Sequence, residues 1–193
     1  MITDCTAIIM AGGDSSRMGT DKANVMLDGQ TLLQSVIATM RQLFPQVVVS
    51  VRQPRADVGL PQVCDEQPDG GPLAGLVASL GQINTPWAFM VACDMPFVVP
   101  EVVELLAGYR ARHQAVVPVV HGHPQPLAAF YAASCLEPLR ASLATRQKGL
   151  RGALQQLDVR YVDEAEMLAV DPQLRSFFDL DTPQDVERAK CQL

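Results

Sequence analysis

The sequence predicts a three-layer α/β domain, a mostly parallel central sheet with helices packed on both faces. Three observations carry that expectation. Short uninterrupted apolar runs alternate along the chain with longer stretches whose apolar residues recur at helical spacing. The first apolar run passes straight into paired glycines, as a buried strand does when it feeds a loop. Hydrophobic residues make up 48% of the 193 residues and charged residues 19%, enough for a sizeable core without disulfides or metals. That balance excludes a disordered tail, a collagen and a coiled coil. The whole chain, residues 1–193, reads as one domain.

Thr6–Met10 is the first strand, ending at Ala11-Gly12-Gly13. Thr31 and Gln34 have capping-box spacing, and Leu32, Leu33, Val36, Ile37, Met40 and Leu43 mark one face of the helix that follows. Val47–Val51 is a second strand, and a short one precedes Asp65. Pro72 opens a helix over residues 72–82, since its missing N–H costs nothing at a first helical position. Trp87–Ala92 is a third buried strand, ending at Cys93-Asp94-Met95-Pro96. A helix over 100–111, a strand over 115–120 and a strand near 127–131 follow. Helices near 134–143 and 150–157 come next, then a weak strand at 159–162. Phe177–Asp181 is expected as the last strand, with Thr182 as N-cap, Pro183 in the first turn and Asp185 completing the start of a final helix. In open parallel sheets ligands sit outside the carboxyl ends of the strands. The loops at 11–22, 52, 65–72 and 93–97 are therefore expected to line one crevice.

Twenty-one acids against 15 bases give a net charge of −6 and a pI near 5.0. That argues against nucleic-acid or anionic-membrane partners, which call for a broad basic face. An anionic substrate is then held by a few focused cations. All but three of the bases are arginine, the residue suited to forked contacts with phosphate. The five cysteines (Cys5, Cys64, Cys93, Cys135, Cys191) form no CxxC pair, which speaks against a zinc ribbon or a redox motif. Ala7–Met10 is too short for the apolar core of a signal peptide. Gly70–Cys93 carries no charge, but its four glycines, Pro72, Pro86 and Gln82 read as helix, turn and strand rather than as a bilayer span. The reading is a soluble, reduced, cytoplasmic protein.

The strongest local signal runs from Met10 through Ala11, Gly12, Gly13, Arg17 and Gly19 to Lys22. Glycines directly after a buried strand let backbone N–H groups turn inward and cradle phosphate oxygens, with Arg17 and Lys22 as the cations. It is not a Walker A loop, because Gly19 is followed by Thr20 rather than Lys, and it is not GxGxxG. The plainer alternative is a glycine-rich turn with surface cations.

This segment resembles the signature of GT-A-like nucleotidyltransferases, specifically that of the molybdenum-cofactor guanylyltransferase family, LAGG-x4-RMG-x-DK. Further matches follow in order over essentially the whole chain. Asp65 with Gly71-Pro72-Leu73-Ala74-Gly75 is similar to the family's D…GPLAG segment, and Cys93-Asp94-Met95-Pro96-Phe97 to its CDxPF/Y turn. Pro124–Leu127 with Tyr131 is similar to its HPxxxLY-type segment, and Asp179-Leu180-Asp181-Thr182-Pro183 to its NxNTP close. Met10 stands for the usual Leu, Arg52 where some members carry Asn, and Asp179 and Asp181 for two asparagines.

The resemblance implies a Rossmann-like, GT-A-like fold and transfer of GMP from magnesium-bound GTP to the terminal phosphate of molybdopterin. Met10, Ala11, Gly12, Gly13, Lys22, Asp65, Gly71 and Asp94 become the expected nucleotide-binding residues, with Arg17, Lys22 and Asp94 the catalytic ones. Asp94 has two readings from its residue type, a magnesium ligand or the cap of a turn; the resemblance favours the ligand, with Asp181 as a second carboxylate. Asp181, Arg146 and Lys148 are expected at the acceptor, although the basic cluster with Arg151 also reads as a solvated face. His121 and His123 read as loop histidines, since no further ligands complete a zinc site. Molybdoenzymes or their chaperones are the expected recipients of the product. The alternatives are a cytidylyltransferase or sugar-phosphate enzyme of the same fold, and a non-catalytic GTP-binding protein that delivers cofactor.

Overall fold

The computed structural model describes residues 1–12, 21–65, 67, 70–145 and 149–192. β1 (Cys5–Met10) carries the first apolar run. A single 3-10 turn, Lys22–Asn24, then leads into a small hairpin of β2 (Met26–Leu27) and β3 (Gln30–Thr31). α1 (Leu32–Leu43) starts on the expected capping box: Gln34 N donates to Thr31 Oγ1 at 3.1 Å and Thr31 N to Gln34 Oε1 at 2.9 Å. β4 (Gln46–Val51), β5 (Gln62–Cys64), α2 (Gly71–Leu80), β6 (Trp87–Ala92) and α3 (Pro100–Gly108) follow. β7 (Ala115–Val120) and β8 (His123–Pro124) form a hairpin whose turn is His121 and Gly122, both at positive φ. The chain closes with β9 (Ala128–Ala132), α4 (Leu136–Ala144), α5 (Gly149–Ala153), β10 (Val159–Val162), α6 (Glu164–Leu168) and α7 (Pro183–Gln192).

The main sheet has the order β10-β7-β9-β6-β1-β4-β5, with β8 added on β7. β1 pairs in parallel with β4 and β6, β4 with β5, and β7 with β10; β9 alone on this path runs antiparallel to both its neighbours. Two reversals restore direction, so β6 and β7 point the same way. The carboxyl ends of β5, β4, β1, β6 and β7 therefore lie along one edge of the sheet.

Period-two alternation sends successive residues of the central strands to opposite faces. Ala7, Ile9, Val49, Phe89 and Val91 pack with α1 and α3 through Val36, Met40, Val103 and Leu106. Ile8, Ala88, Met90 and Val117 pack the other way, with Leu73, Leu76 and Leu80 of α2 and with Leu139 and Leu150. Both faces are covered, the layered arrangement expected. Gly75 is what lets α2 lie close: a Cβ there would stand 2.4 Å from Met10 Cε and 2.6 Å from Ser50 Oγ. A third, smaller cluster joins Leu27 and Leu32 to Leu180, Val186 and Ala189, and it holds α7 against the body of the protein.

Several boundaries differ from expectation. α2 opens at Gly71, whose φ of 55° only glycine adopts without strain, so Pro72 occupies the second helical position. α3 stops at Gly108, and the remainder of the expected helix is a separate 3-10 turn, Arg110–Arg112. The expected strand at 177–181 does not form. Arg175–Phe177 is a 3-10 turn, and Leu180 N donates to the backbone oxygen of Asp94 at 2.9 Å instead of to a strand ladder. α7 starts as anticipated, with Asp185 N donating to Thr182 Oγ1 at 3.2 Å and Thr182 N to Asp185 Oδ2 at 2.9 Å.

Candidate active site

At the carboxyl end of β1 the backbone is held from both sides. Ala11 N donates to Ser50 O of β4 at 2.8 Å, and Cys93 N donates to Met10 O at 3.0 Å. These bonds press Gly12 against the loop after β4, where a Cβ would meet Arg52 N at 3.1 Å. The first glycine of the pair thus serves close backbone approach, beside the crevice. Gly13 and Arg17 lie outside the described residues, as do Arg146 and Lys148 of the expected acceptor cluster.

Asp94 leaves the end of β6 on a turn in which Met95 N donates to Ala92 O at 3.2 Å. Its Oδ2 accepts a hydrogen bond from Lys22 Nζ at 2.7 Å, and the same ammonium donates to Asp181. Lys22 and Asp94 are largely shielded, with side chains 14% and 15% exposed, whereas Asp181 faces water more openly at 36%. Burial alone would lower the Lys22 pKa, but the hydrogen bonds that Lys22 donates to Asp181 and Asp94 outweigh it and hold the ammonium above its ordinary value. Lys22 is a fixed positive charge at neutral pH. Asp179 keeps contact with solvent in the same crevice. Burial by its neighbours, then repulsion from Asp94 and Asp181, push its carboxyl up to about 7, against the pull of Lys22 and Arg151.

Two carboxylates converging on one ammonium form a donor set of hard oxygens around a point of positive charge. Among the described residues no group of three or more His, Cys, Asp or Glu is placed to hold a metal. The described residues alone therefore do not make a complete set of protein ligands. The set does fit magnesium, which typically binds through one or two carboxylates and completes its shell with substrate phosphates and water. The neighbouring Cys93 thiol is pushed up to about 12, mainly by burial and then by Asp94, so it packs as a neutral group and offers no thiolate nucleophile.

One residue of the site carries no sequence motif. Arg55, in the loop after β4, donates from Nη1 to Asp21 and from Nη2 to Asn24, with Asp57 at 3.1 Å from Nη2. Asp21 caps the 3-10 turn through its bond from Ala23 N at 3.1 Å, so the guanidinium grips both ends of the turn that presents Lys22. Arg55 is itself gripped: its N donates to Gln62 Oε1 at 2.7 Å and its O accepts from Gln62 Nε2 at 2.8 Å. Asp21 and Arg55 are 34 residues apart in a polar loop context, and only the fold brings them together.

Asp65 follows the end of β5, two strands outward from β1, and Gly71 opens α2. Burial raises the Asp65 pKa, partly countered by Arg52. Of the five-residue segment 71–75, Leu73, Ala74 and Gly75 are buried in helix packing. Only Gly71 and Pro72 of this segment are exposed.

The family model described as the MobA-like NTP transferase domain matches residues 7–161. A probable molybdenum cofactor guanylyltransferase of Chloroflexus aggregans is 36% identical, over 97% of this chain and 94% of that protein. The molybdenum cofactor guanylyltransferase of Desulfosudis oleivorans is 33% identical, over 97% and 95%. The crystal structure of molybdopterin-guanine dinucleotide biosynthesis protein A from Archaeoglobus fulgidus superposes with a TM-score of 0.86 at 30% identity, covering 97% of each chain. With a family match over most of its length and relatives above 30% identity along nearly all of it, the chain belongs to the MobA-like NTP transferase family.

Proposed function

We propose that this protein transfers GMP from GTP to the terminal phosphate of molybdopterin, releasing pyrophosphate and forming the guanine dinucleotide form of the cofactor. The observation that carries the reading is the meeting of Lys22, Asp94 and Asp181 at the carboxyl edge of the sheet, beside Gly12. The activity named for the relatives is the second support.

In the transfer an oxygen of the acceptor phosphate bonds to the α-phosphorus. The bond from that phosphorus to the β-phosphate's bridging oxygen breaks, and its electron pair leaves with pyrophosphate. A phosphate monoester has a second pKa near 6, so the acceptor is mostly a dianion at neutral pH and needs no base to take a proton. That agrees with a site whose nearest thiol is neutral. Asp94 and Asp181 are the residues that hold magnesium in this reading; when bound, the ion supplies positive charge to the phosphate oxygens. Lys22, fixed and charged, offsets negative charge on the triphosphate, and Arg17 is the second cation. Met10, Ala11, Gly12 and Gly13 cradle the phosphates, and Asp65 and Gly71 border the nucleoside. The whole chain acts as one nucleotidyltransferase domain in the cytoplasm, handing its product to molybdoenzymes or their chaperones. No helix among the described residues is long and apolar enough to cross a membrane.

The test is kcat/KM for GTP, CTP and ATP with molybdopterin as acceptor, read as dinucleotide formed and pyrophosphate released. GTP should lead. A site that hydrogen-bonds guanine leaves its own groups unpaired against adenine, a penalty of about 1–3 kcal/mol per buried group. A CTP value at or above the GTP value would leave a nucleotidyltransferase with the wrong base, and no product from any triphosphate would leave a carrier.

A further inference from the structure

Asp94 and Asp181 are brought together by backbone and packing rather than by the ammonium between them. Leu180 N donates to Asp94 O at 2.9 Å, so the residue before Asp181 is tied to the chain that carries Asp94. Phe97 and Phe178 stack across the same two segments with centroids 6.5 Å apart. Leu180 is buried with Leu27, Leu32, Val186 and Ala189, and the capped start of α7 follows directly. None of these contacts involves Lys22. Asp181 also stands where the NxNTP pattern has asparagine, so the second carboxylate departs from that pattern. Two like charges held in one place call for a cation between them.

Lys22 supplies that cation from a separate element. Its backbone lies in the 3-10 turn Lys22–Asn24, which Arg55 grips through Asp21 and Asn24. From there Nζ donates to Asp94 Oδ2 at 2.7 Å and to Asp181. The ammonium thus sits on the carboxylate oxygens that a hard divalent ion would take as ligands. The two cations repel on the same oxygens, and each needs lone pairs the other uses. A triphosphate changes both conditions. It offers the ammonium a second set of anionic oxygens, and it brings the ion phosphate ligands that two carboxylates cannot supply. The move needs only the side chain, because a flexible four-carbon stem separates the charge from a turn that stays gripped.

We propose that in the nucleotide-free protein the Lys22 ammonium stands in the place of the divalent ion between Asp94 and Asp181, and that the triphosphate admits the ion by drawing the ammonium onto its own oxygens. The inference rests on the guanylyl-transfer reading for the identity of the triphosphate. Metal affinity is then low without nucleotide and rises with it, and by linkage the ion strengthens nucleotide binding by the same factor. The positive charge on Lys22 is constant; only its partners change, from carboxylates to phosphates.

The experiment titrates manganese(II), which takes the same carboxylate and water ligands as magnesium, into the full nucleotide-free chain, with free ion counted by electron paramagnetic resonance. Lys22→Met removes the ammonium and should tighten the manganese Kd about ten-fold or more. Lys22→Arg keeps a cation at the carboxylates and should stay within about three-fold of wild type. The gain should persist in about 0.5 M potassium chloride, which screens a distant charge but not the release of ligands in a shielded site. It should be lost in Lys22→Met/Asp94→Asn. At saturating GTP, followed by water-proton relaxation, manganese binding to wild type should tighten about ten-fold or more, and Lys22→Met should show a smaller gain because no ammonium has to leave. Thermal melting checks each variant, and Lys22→Gln replaces Lys22→Met if the latter does not fold. A manganese Kd in the folded neutral variant no tighter than wild type overturns the exchange. So does a gain that vanishes in salt or survives Asp94→Asn, or an undiminished coupling to GTP. Any of these beside dinucleotide formation by wild type leaves the transferase reading standing. No product from wild type, beside the expected manganese gain, removes that reading and leaves the exchange as a property of the site.

Discussion

The Lys22 ammonium donates to both Asp94 and Asp181, and the consequence falls on Asp94. An amide at position 94 keeps the shape and an oxygen that accepts from Lys22 Nζ, now at 2.7 Å, but removes the negative charge. If Asp94 acts through charge at the reacting phosphates, Asp94→Asn loses an interaction realised in the transition state and little that holds the ground state. Turnover at saturating GTP should fall about 100-fold, equivalent to ~2.7 kcal/mol of barrier, with the GTP Kd changed by less than about three-fold. Rapid-quench turnover and calorimetry on the same preparation decide it. Turnover within a few-fold of wild type would make Asp94 the cap of its turn and no more.

At the scale of elements, the parts of the fold that show in the sequence are those fixed by local chemistry. β6 is an uninterrupted apolar run and β1 and β4 are nearly so, α1 is announced by Thr31 and Gln34, and α7 by Thr182 and Asp185. α6 carries the same signal, Asp163 with Glu166 three residues on, although the helix it starts has only five residues and no apolar stripe to draw attention. Phe177–Asp181 reads as a strand, but Phe177 closes a 3-10 turn and the Leu180 N–H goes to Asp94 O instead of to a ladder. Of the site, Lys22, Asp94 and Asp181 are legible as residue types. Their meeting is not, since Lys22 is 72 residues from one carboxylate and 159 from the other. Arg55 is the extreme case, a loop arginine with no motif. Its grip on Asp21 and Asn24 gives an element-scale expectation. Arg55→Ala should release the turn that presents Lys22, lowering kcat/KM for GTP about ten-fold while the melting temperature moves by only a few degrees, because the lost contacts are at the surface of the core. Arg55→Lys should fall between, one ammonium being unable to span both partners. A melting temperature that drops with no change in kcat/KM, measured well below the transition, would make the clamp a stability device only.

For the whole molecule the question is whether the site depends on the total stability of the sheet or only on its local framing. Phe89 separates the two. It is fully buried in β6, five residues before Asp94, and it joins α1 to β9 by stacking on Phe44 at 5.7 Å and tilting against Phe130 at 4.8 Å. Arg110 lies 5.2 Å over the far ring, Phe130, and closes the stack at the surface. Phe89→Ala removes one of three mutually touching rings and leaves a void that close-packed neighbours only partly refill, at a cost of about 3–5 kcal/mol. Against a total stability of roughly 5–15 kcal/mol this is a large fraction, so the urea midpoint should fall sharply with the slope m unchanged. The backbone of β6 is held independently of that ring, by its parallel ladder to β1 and its antiparallel ladder to β9. Cys93 N still has Met10 O, and Leu180 N still has Asp94 O, so the carboxylates keep their frame. At 20 °C and without denaturant, kcat/KM should therefore remain within a few-fold of wild type even as the midpoint drops. A collapse of activity in a variant that is still folded by near-ultraviolet dichroism would mean that the aromatic stack sets the position of Asp94 and is part of the site's construction.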